Sequence, residues 1–162
     1  MNKLVLDGYN VIHHIPKLAK NLDFDFEFAR TVLVNFMKVW EGEHGFKGRI
    51  YIVFDGDGAT GSSKITSGLN CTFTGSGQTA DDYIIAMVKS DKNPKKITVV
   101  SNDGSIKNSC FLAGAAVQDP IFLLQSPKSY CRKLKNTKSS KEISSAQKNE
   151  INRFLMDKWE IK

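Results

Sequence analysis

Three apolar runs in this chain end in the same dipeptide: Asp7-Gly8, Asp55-Gly56 and Asp103-Gly104. Asp-Gly is a common hairpin signal, so turn chemistry accounts for each one taken singly. None is followed at once by a second alternating strand, however, and helical patterns come after the first and the third. In a parallel sheet all three aspartates would stand at the carboxyl ends of strands, the edge where open α/β sheets place their ligands. Asp81 joins them by helical arithmetic, because it lies three, four and seven residues before Ile84, Ile85 and Val88 and shares their face at a helix start. Asp82 is rotated toward the flank, and a capping or helix-dipole role stays open for this pair.

Together Asp7, Asp55, Asp81, Asp82 and Asp103 would gather up to five negative charges around one crevice. Such a cluster repels itself and raises its own pKa values unless cations neutralise it. Hard carboxylate oxygens without paired His or Cys favour Mg2+ or Mn2+ over zinc. Two such ions ~3.5–4 Å apart form the clamp used in phosphodiester hydrolysis, one activating water and the other stabilising the leaving oxygen. An Asp7→Asn change should then abolish cleavage.

The elements that must position these acids alternate between strand and helix. Lys3 to Leu6, Arg49 to Phe54 and Ile97 to Ser101 read as buried strands, with Asn70 to Phe73 and Ala115 to Gln118 as shorter ones. The second run is expected to stop at Asp55-Gly56. Ala29, Val32, Leu33, Phe36 and Trp40 recur at helical spacing behind Asp23 or Asp25 as cap. Thr79-Ala80-Asp81-Asp82 has the pattern of a helix start, and further helices are expected from about Ser105 to Ala113 and from Pro120 to Leu124. This rhythm predicts an α/β fold, a three-layer sandwich with a mostly parallel central sheet. Gly56 to Gln78 holds six glycines and four serines, so part of it is expected to be a mobile loop.

At the acids a family resemblance appears. The blocks L-V-L-D-G-Y-N-V-I (Leu4 to Ile12), I-V-F-D-G (Ile52 to Gly56), T-A-D-D-Y-I (Thr79 to Ile84) and V-V-S-N-D (Val99 to Asp103) resemble the YacP-like NYN-domain proteins of the PIN-like nuclease superfamily. They occur in the family's order, and the resemblance covers about residues 3–125. The resemblance implies a Rossmann-like, PIN-like fold, divalent-metal dependence and endoribonuclease activity, in some members on messenger RNA at the ribosome. It assigns metal-site roles to Asp7, Asp81 and Asp103, with Asp55 and Asp82 close by, and has Asn10 steady the site by hydrogen bonding. Ser101 and Asn102 would help to orient the acids. A long Gly/Ser stretch after the second block matches no family feature.

Charge separates the chain into two parts. Residues 1–127, read as the PIN-like nuclease domain, carry 13 basic and 13 acidic side chains. Residues 128–162, read as a basic linker followed by an amphipathic helix, carry 10 basic and 4 acidic, which is the whole net charge of +6. Lys128, Arg132, Lys133, Lys135, Lys138 and Lys141 precede the next acid, Glu142, and are candidate contacts to RNA phosphates. The same run reads equally as a solvated linker. Ile151, Phe154, Leu155 and Trp159 form the stripe of the C-terminal helix, which can dock on its own domain or on a partner.

Other classes fare less well. Unbroken apolar runs such as Ile50 to Phe54 and Tyr83 to Val88 are far short of the ~18 residues a membrane span needs. No signal-peptide core fits between Lys3 and Asp7. Three cysteines without Cys-x-x-Cys spacing suit a reduced, cytoplasmic protein without structural zinc. Asp55 and Asp57 also resemble the D-x-D motif of haloacid-dehalogenase-type phosphatases, but Ala59 stands where those enzymes carry Thr, and Asp7 is left unexplained. His13, His14 and Tyr9 are expected on the surface or in packing. A non-cleaving RNA- or ribosome-binding module is the remaining alternative, one with no use for five aspartates at one edge.

Overall fold

The computed structural model describes residues 1–23, 25–58, 63–66 and 69–125. The chain divides into two compact units, Met1–Phe122 and Leu123–Lys162. The second is described only as far as Gln125, so the boundary at 127/128, the basic run Lys128–Lys141 and the C-terminal stripe lie outside the described residues.

The elements of the first unit are β1 (Lys3–Asp7), α1 (Gly8–His14), α2 (Pro16–Ala19), α3 (Phe26–His44), β2 (Arg49–Gly58), β3 (Ser63–Thr66), β4 (Leu69–Gly75), α4 (Ala80–Ser90), β5 (Ile97–Val100), α5 (Gly104–Leu112) and β6 (Ala116–Gln118). A 3₁₀ turn, Pro94–Lys96, leads into β5, and another, Pro120–Leu124, follows β6. The sheet order is β3-β4-β2-β1-β5-β6. The five strands from β4 to β6 are parallel, and β3 pairs antiparallel on the outer edge of β4.

β1 lies in the middle because its Leu4, Val5 and Leu6 are apolar on both faces, the composition a doubly covered strand requires. The two-residue period of the strand sends Val5, with Val53 and Val99 of its neighbours, to one side. There they pack against Ala80, Ile84 and Val88 of α4 and Ile106 and Cys110 of α5. Leu4, Leu6, Ile50, Ile52 and Phe54 are buried on the opposite side, where α1 packs on β2 and α3. Of the expected stripe of α3, Ala29, Leu33, Phe36 and Trp40 are buried and Val32 is half-buried. Asp25 caps that helix by accepting from the Glu27 amide at 3.2 Å, and Gly45 ends it in the left-handed conformation, φ 56°.

One expectation is corrected here. β2 does not stop at Asp55-Gly56 but runs to Gly58, with a register shift between Phe54 and Gly58. Buried Thr74 makes that step possible, because its hydroxyl donates to the Phe54 carbonyl at 3.4 Å and accepts from the Gly56 amide at 3.2 Å. Within the Gly/Ser segment Gly56 to Gln78, the strand expected at Asn70 to Phe73 is in place as β4, and β3 is an addition. α1 is also an addition, starting directly after Asp7 instead of after a turn.

The consequence for position is simple. The chain leaves β1 outward through β2 to β4, then returns to β5 on the other side of β1. The topological switch point therefore lies between β1 and β5, at the carboxyl end of β1. The residue there is Asp7.

Candidate active site

Asp7 is 8% exposed, and both of its oxygens are engaged. It caps α1, accepting on Oδ1 from the Asn10 amide at 3.5 Å, and accepts on Oδ2 from the Ser101 hydroxyl at 3.2 Å. Ser101 in turn accepts from the Asp103 amide at 3.1 Å. Asp103 caps α5, its Oδ1 accepting from the Ser105 amide at 2.8 Å and the Ile106 amide at 3.0 Å. Asp55 reaches from β2 to another helix, accepting on Oδ1 from the Ala80 amide at 2.6 Å. Thr79 completes the start of α4 by accepting from the Asp82 amide at 3.1 Å. None of the three Asp-Gly pairs is a hairpin turn.

Four elements thus bring Asp7, Asp55, Asp81 and Asp103 to one edge, and their electrostatics record it. Burial pushes the Asp7 carboxyl up to about 6; the charges of Asp81 and Asp55 push the same way, against the hydrogen bonds from Asn10 and Ser101. Asp81 is raised as well, first by burial and then by Asp103, Asp55 and Asp82. Asp82 is exposed on the flank, as its helical angle predicts, and is the weakest of those three influences. Among the described residues, none of the five carboxylates forms an ion pair with Lys, Arg or His; the pairs found are Lys3–Asp91 and Lys107–Asp119.

By donor chemistry this set suits a hard divalent cation: only carboxylate oxygens, mutually repelling and without a protein cation among the described residues. Oδ2 of Asp55 and of Asp103 has no hydrogen-bond partner among the described residues. As they stand, no three acidic, His or Cys side chains among the described residues converge on one point able to hold an ion. The carboxylates are arrayed around the edge, and Asp7, Asp55 and Asp103 each spend an oxygen on a helix start.

Asn10 bridges two of these starts, because its Oδ1 accepts from the Asn102 amide at 2.8 Å. His14 Nδ1 lies 2.8 Å from the Asn10 carbonyl, which can only accept, so Nδ1 carries the proton there. Nε2 is then the acceptor for Asn102 Nδ2 at 2.9 Å. His14 is exposed, as expected, and its i,i+4 spacing from Asn10 is what brings its ring to this network. Tyr9 packs, as expected, edge-on to Phe26 at 5.7 Å and to Phe54 at 5.3 Å. Arg30 was missed altogether. Its Nε donates to the Tyr9 hydroxyl at 2.7 Å, and its guanidinium lies over the rings of Tyr9, Phe54 and Phe73. The D-x-D reading fits poorly, because Asp55 is a helix-capping carboxylate within a continuing strand.

No helix among the described residues is long and apolar enough to cross a membrane. No curated protein matches the chain. A crystal structure of a mutant of Rae1 (YacP) from Bacillus subtilis is similar, with 26% identity and a TM-score of 0.65 over 83% of this chain and 80% of that one. A second crystal structure of Rae1 (YacP) from Bacillus subtilis matches with 23% identity and a TM-score of 0.63 over 98% of this chain and 84% of that one. The sequence model of the YacP-like NYN domain matches residues 4–161, running past the last motif and through the basic segment. With the fold, the acidic edge and a match along nearly all of its length in agreement, the chain belongs to the YacP-like NYN domain family of PIN-like nucleases.

Proposed function

We propose that this protein is a divalent-metal-dependent endoribonuclease that cuts single-stranded RNA. The observation that supports it is the state of Asp7: a buried carboxylate pushed up to about 6, under like charges from other elements and without a cation partner among the described residues. Such a group destabilises the fold at neutral pH unless something positive joins it. Asp7, Asp81 and Asp103, with Asp55 and Asp82 beside them, would hold Mg2+ or Mn2+. When bound, these ions supply Lewis-acid stabilisation of the oxygens that gain charge and a more acidic water.

The chain's own residues do the positioning. Ser101 holds Oδ2 of Asp7, and the Asn10 side chain ties the loop after β5 to α1. Asp55 and Asp103 fix the first turns of α4 and α5 at the same edge. Hydrolysis of this kind needs no 2′-hydroxyl, so the choice of RNA rests on the family. Ribosome-associated messenger RNA is the substrate the family resemblance suggests, with Lys128, Arg132, Lys133, Lys135, Lys138 and Lys141 as candidate phosphate contacts.

A cleavage assay tests this reading, using RNA and single-stranded DNA with Mn2+, with Mg2+ and with chelator, for wild type and Asp81→Asn. Cutting of RNA that requires a divalent ion and fails in Asp81→Asn is the expected result. Undiminished cutting by Asp81→Asn, or cutting in chelator, would overturn the metal-dependent reading. RNA bound but never cut would favour the binding module instead. Adding ribosomes carrying the same message tests whether they raise the rate.

A further inference from the structure

We propose that Phe26, Tyr9 and Arg30 form a landing platform for a single strand beside the acidic edge. A base stacks on the exposed ring of Phe26, and the Arg30 guanidinium takes the adjoining backbone phosphate. The inference rests on the nuclease reading and adds where the strand lies and why it must be single.

The placement follows from topology. α3 ends at His44 shortly before β2 enters the sheet at Arg49, whose register partner is Lys3 at the start of β1. The first turn of α3 therefore lies toward the carboxyl edge, and ring contacts confirm it: Phe26 meets Tyr9, two residues beyond Asp7. Tyr9 meets Phe54, which directly precedes Asp55. Platform and acids are contiguous.

The chemistry of Arg30 is the second part. At an edge with five aspartates it forms no ion pair among the described residues. Instead its Nε donates to the Tyr9 hydroxyl, and its Cζ lies 5.6 Å from the Tyr9 centroid, 6.0 Å from that of Phe54 and 5.1 Å from that of Phe73. The Nη groups have no hydrogen-bond acceptor among the described residues. A guanidinium held this way is weakly hydrated and already oriented, so capturing phosphate through its remaining fork costs little side-chain entropy. It also gives a polyanion an attractive point of entry to an otherwise repulsive edge.

Phe26 is the third part. It is 56% exposed, and the buried stripe of α3 begins only at Ala29, so the fold makes little use of this ring. An aromatic face next to a cation is the combination that binds single strands, since every base offers a π-face. Bases inside a duplex are already stacked and cannot reach it.

Fluorescence anisotropy of a short labelled single-stranded RNA of mixed sequence, with Ca2+ replacing the catalytic ion to prevent cutting, tests the platform. The same RNA annealed to its complement is measured alongside, and KM and kcat are determined separately with Mn2+. Phe26→Ala should weaken single-strand binding by about 5- to 100-fold and leave duplex binding unchanged. Arg30→Gln should lower the slope of log affinity against log salt by about 0.7, whereas Arg30→Lys keeps the slope and loses part of the affinity. Both Phe26→Ala and Arg30→Lys should raise KM more than they lower kcat. If Arg30→Gln proves unstable, Phe26→Ala and Arg30→Lys carry the test. Wild type that binds and cuts RNA, with variants indistinguishable from it, overturns the platform and leaves the nuclease reading standing. Wild type that neither binds nor cuts overturns both.

Discussion

Ser101 donates its hydroxyl proton to Oδ2 of Asp7 at 3.2 Å across 94 positions of sequence, and both residues are buried. The Ser101 hydroxyl oxygen itself accepts from the Asp103 amide at 3.1 Å. One hydroxyl therefore locks the carboxyl end of β1 to the loop that starts α5, the two sides of the topological switch point. A serine serves because it is small enough to be fully enclosed and can donate and accept at once. Its bond favours the charged form of Asp7 but is outweighed by burial, which leaves that carboxyl at about 6.

This imbalance gives a pH-dependent stability. Asp7 has an ordinary value of 3.8 and a folded value of about 6, so between these two the folded state holds a proton that the unfolded state has released. Stability therefore falls as pH rises through this window and levels off above about 6, at a cost of at most about 3 kcal/mol. In chelator, Asp7→Asn should be more stable than wild type at pH 7.5 and lack that part of the pH dependence. Mn2+ should raise the melting temperature of wild type and leave that of Asp7→Asn nearly unchanged. Calorimetric melting with and without Mn2+ across this range reads both effects.

Asp55 has two separable duties. As a carboxylate accepting from the Ala80 amide at 2.6 Å, it is a helix cap supplied by another element. Losing such an acceptor costs about 1–2 kcal/mol. Asp55→Ala should lower the urea midpoint accordingly, whereas Asp55→Asn keeps an acceptor and most of the stability. If Asp55 also assists the ions, Asp55→Asn will show weaker Mn2+ affinity by isothermal titration calorimetry while melting like wild type.

Half-buried Asn10 joins α1 to the loop after β5 through an exposed hydrogen bond, with Oδ1 accepting from the Asn102 amide. Asn10→Ala frees that amide to water, so the stability cost should stay below about 1 kcal/mol. Misplacement of Asp7 and Asp103 relative to each other should be felt more strongly, lowering the cleavage rate by about 10- to 100-fold. Urea unfolding and single-turnover cleavage on one preparation separate the two effects.

What the sequence disclosed was whatever is encoded locally. Thr79 announces α4, Asp25 announces α3, and Ile97 to Val100 announces β5, because caps and apolar periods act within a few residues. The array of acids was legible for the same reason, each standing where an element changes type. α1 was hidden because its cap, Asp7, is also the last residue of β1, leaving no turn residues between them. β3 pairs on an outer edge within a segment rich in Gly and Ser, where composition argued against a strand. Asp55 and Arg30 take their partners from distant elements, Ala80 in the first case and Tyr9 and Phe73 in the second, and no local spacing encodes such pairings.

The three glycines that follow the aspartates look alike in sequence and should respond differently to one added methyl. At Gly8 a Cβ would lie 2.4 Å from carbons of the Phe54 ring, and at Gly56 it would lie 2.1 Å from the Thr74 carbonyl oxygen. At Gly104 it would meet nothing within 4 Å. None of the three has positive φ, so space alone decides. Gly104→Ala, in a helix first turn, should be neutral or stabilising by up to about 1 kcal/mol. Gly8→Ala forces α1 away from a buried ring and should cost about 1–3 kcal/mol. Shortening the ring in Gly8→Ala/Phe54→Leu should recover part of that cost, giving a favourable coupling in a double-mutant cycle. Gly56→Ala should be the worst, since a backbone carbonyl within a strand cannot turn aside as a side chain does. Urea midpoints in the order Gly104→Ala, Gly8→Ala, Gly56→Ala, from most to least stable, are the expected result. Equal losses at all three would mean that the glycines serve turn conformation instead, and that the close approaches of α1 to Phe54 and of β2 to Thr74 do not hold the edge together.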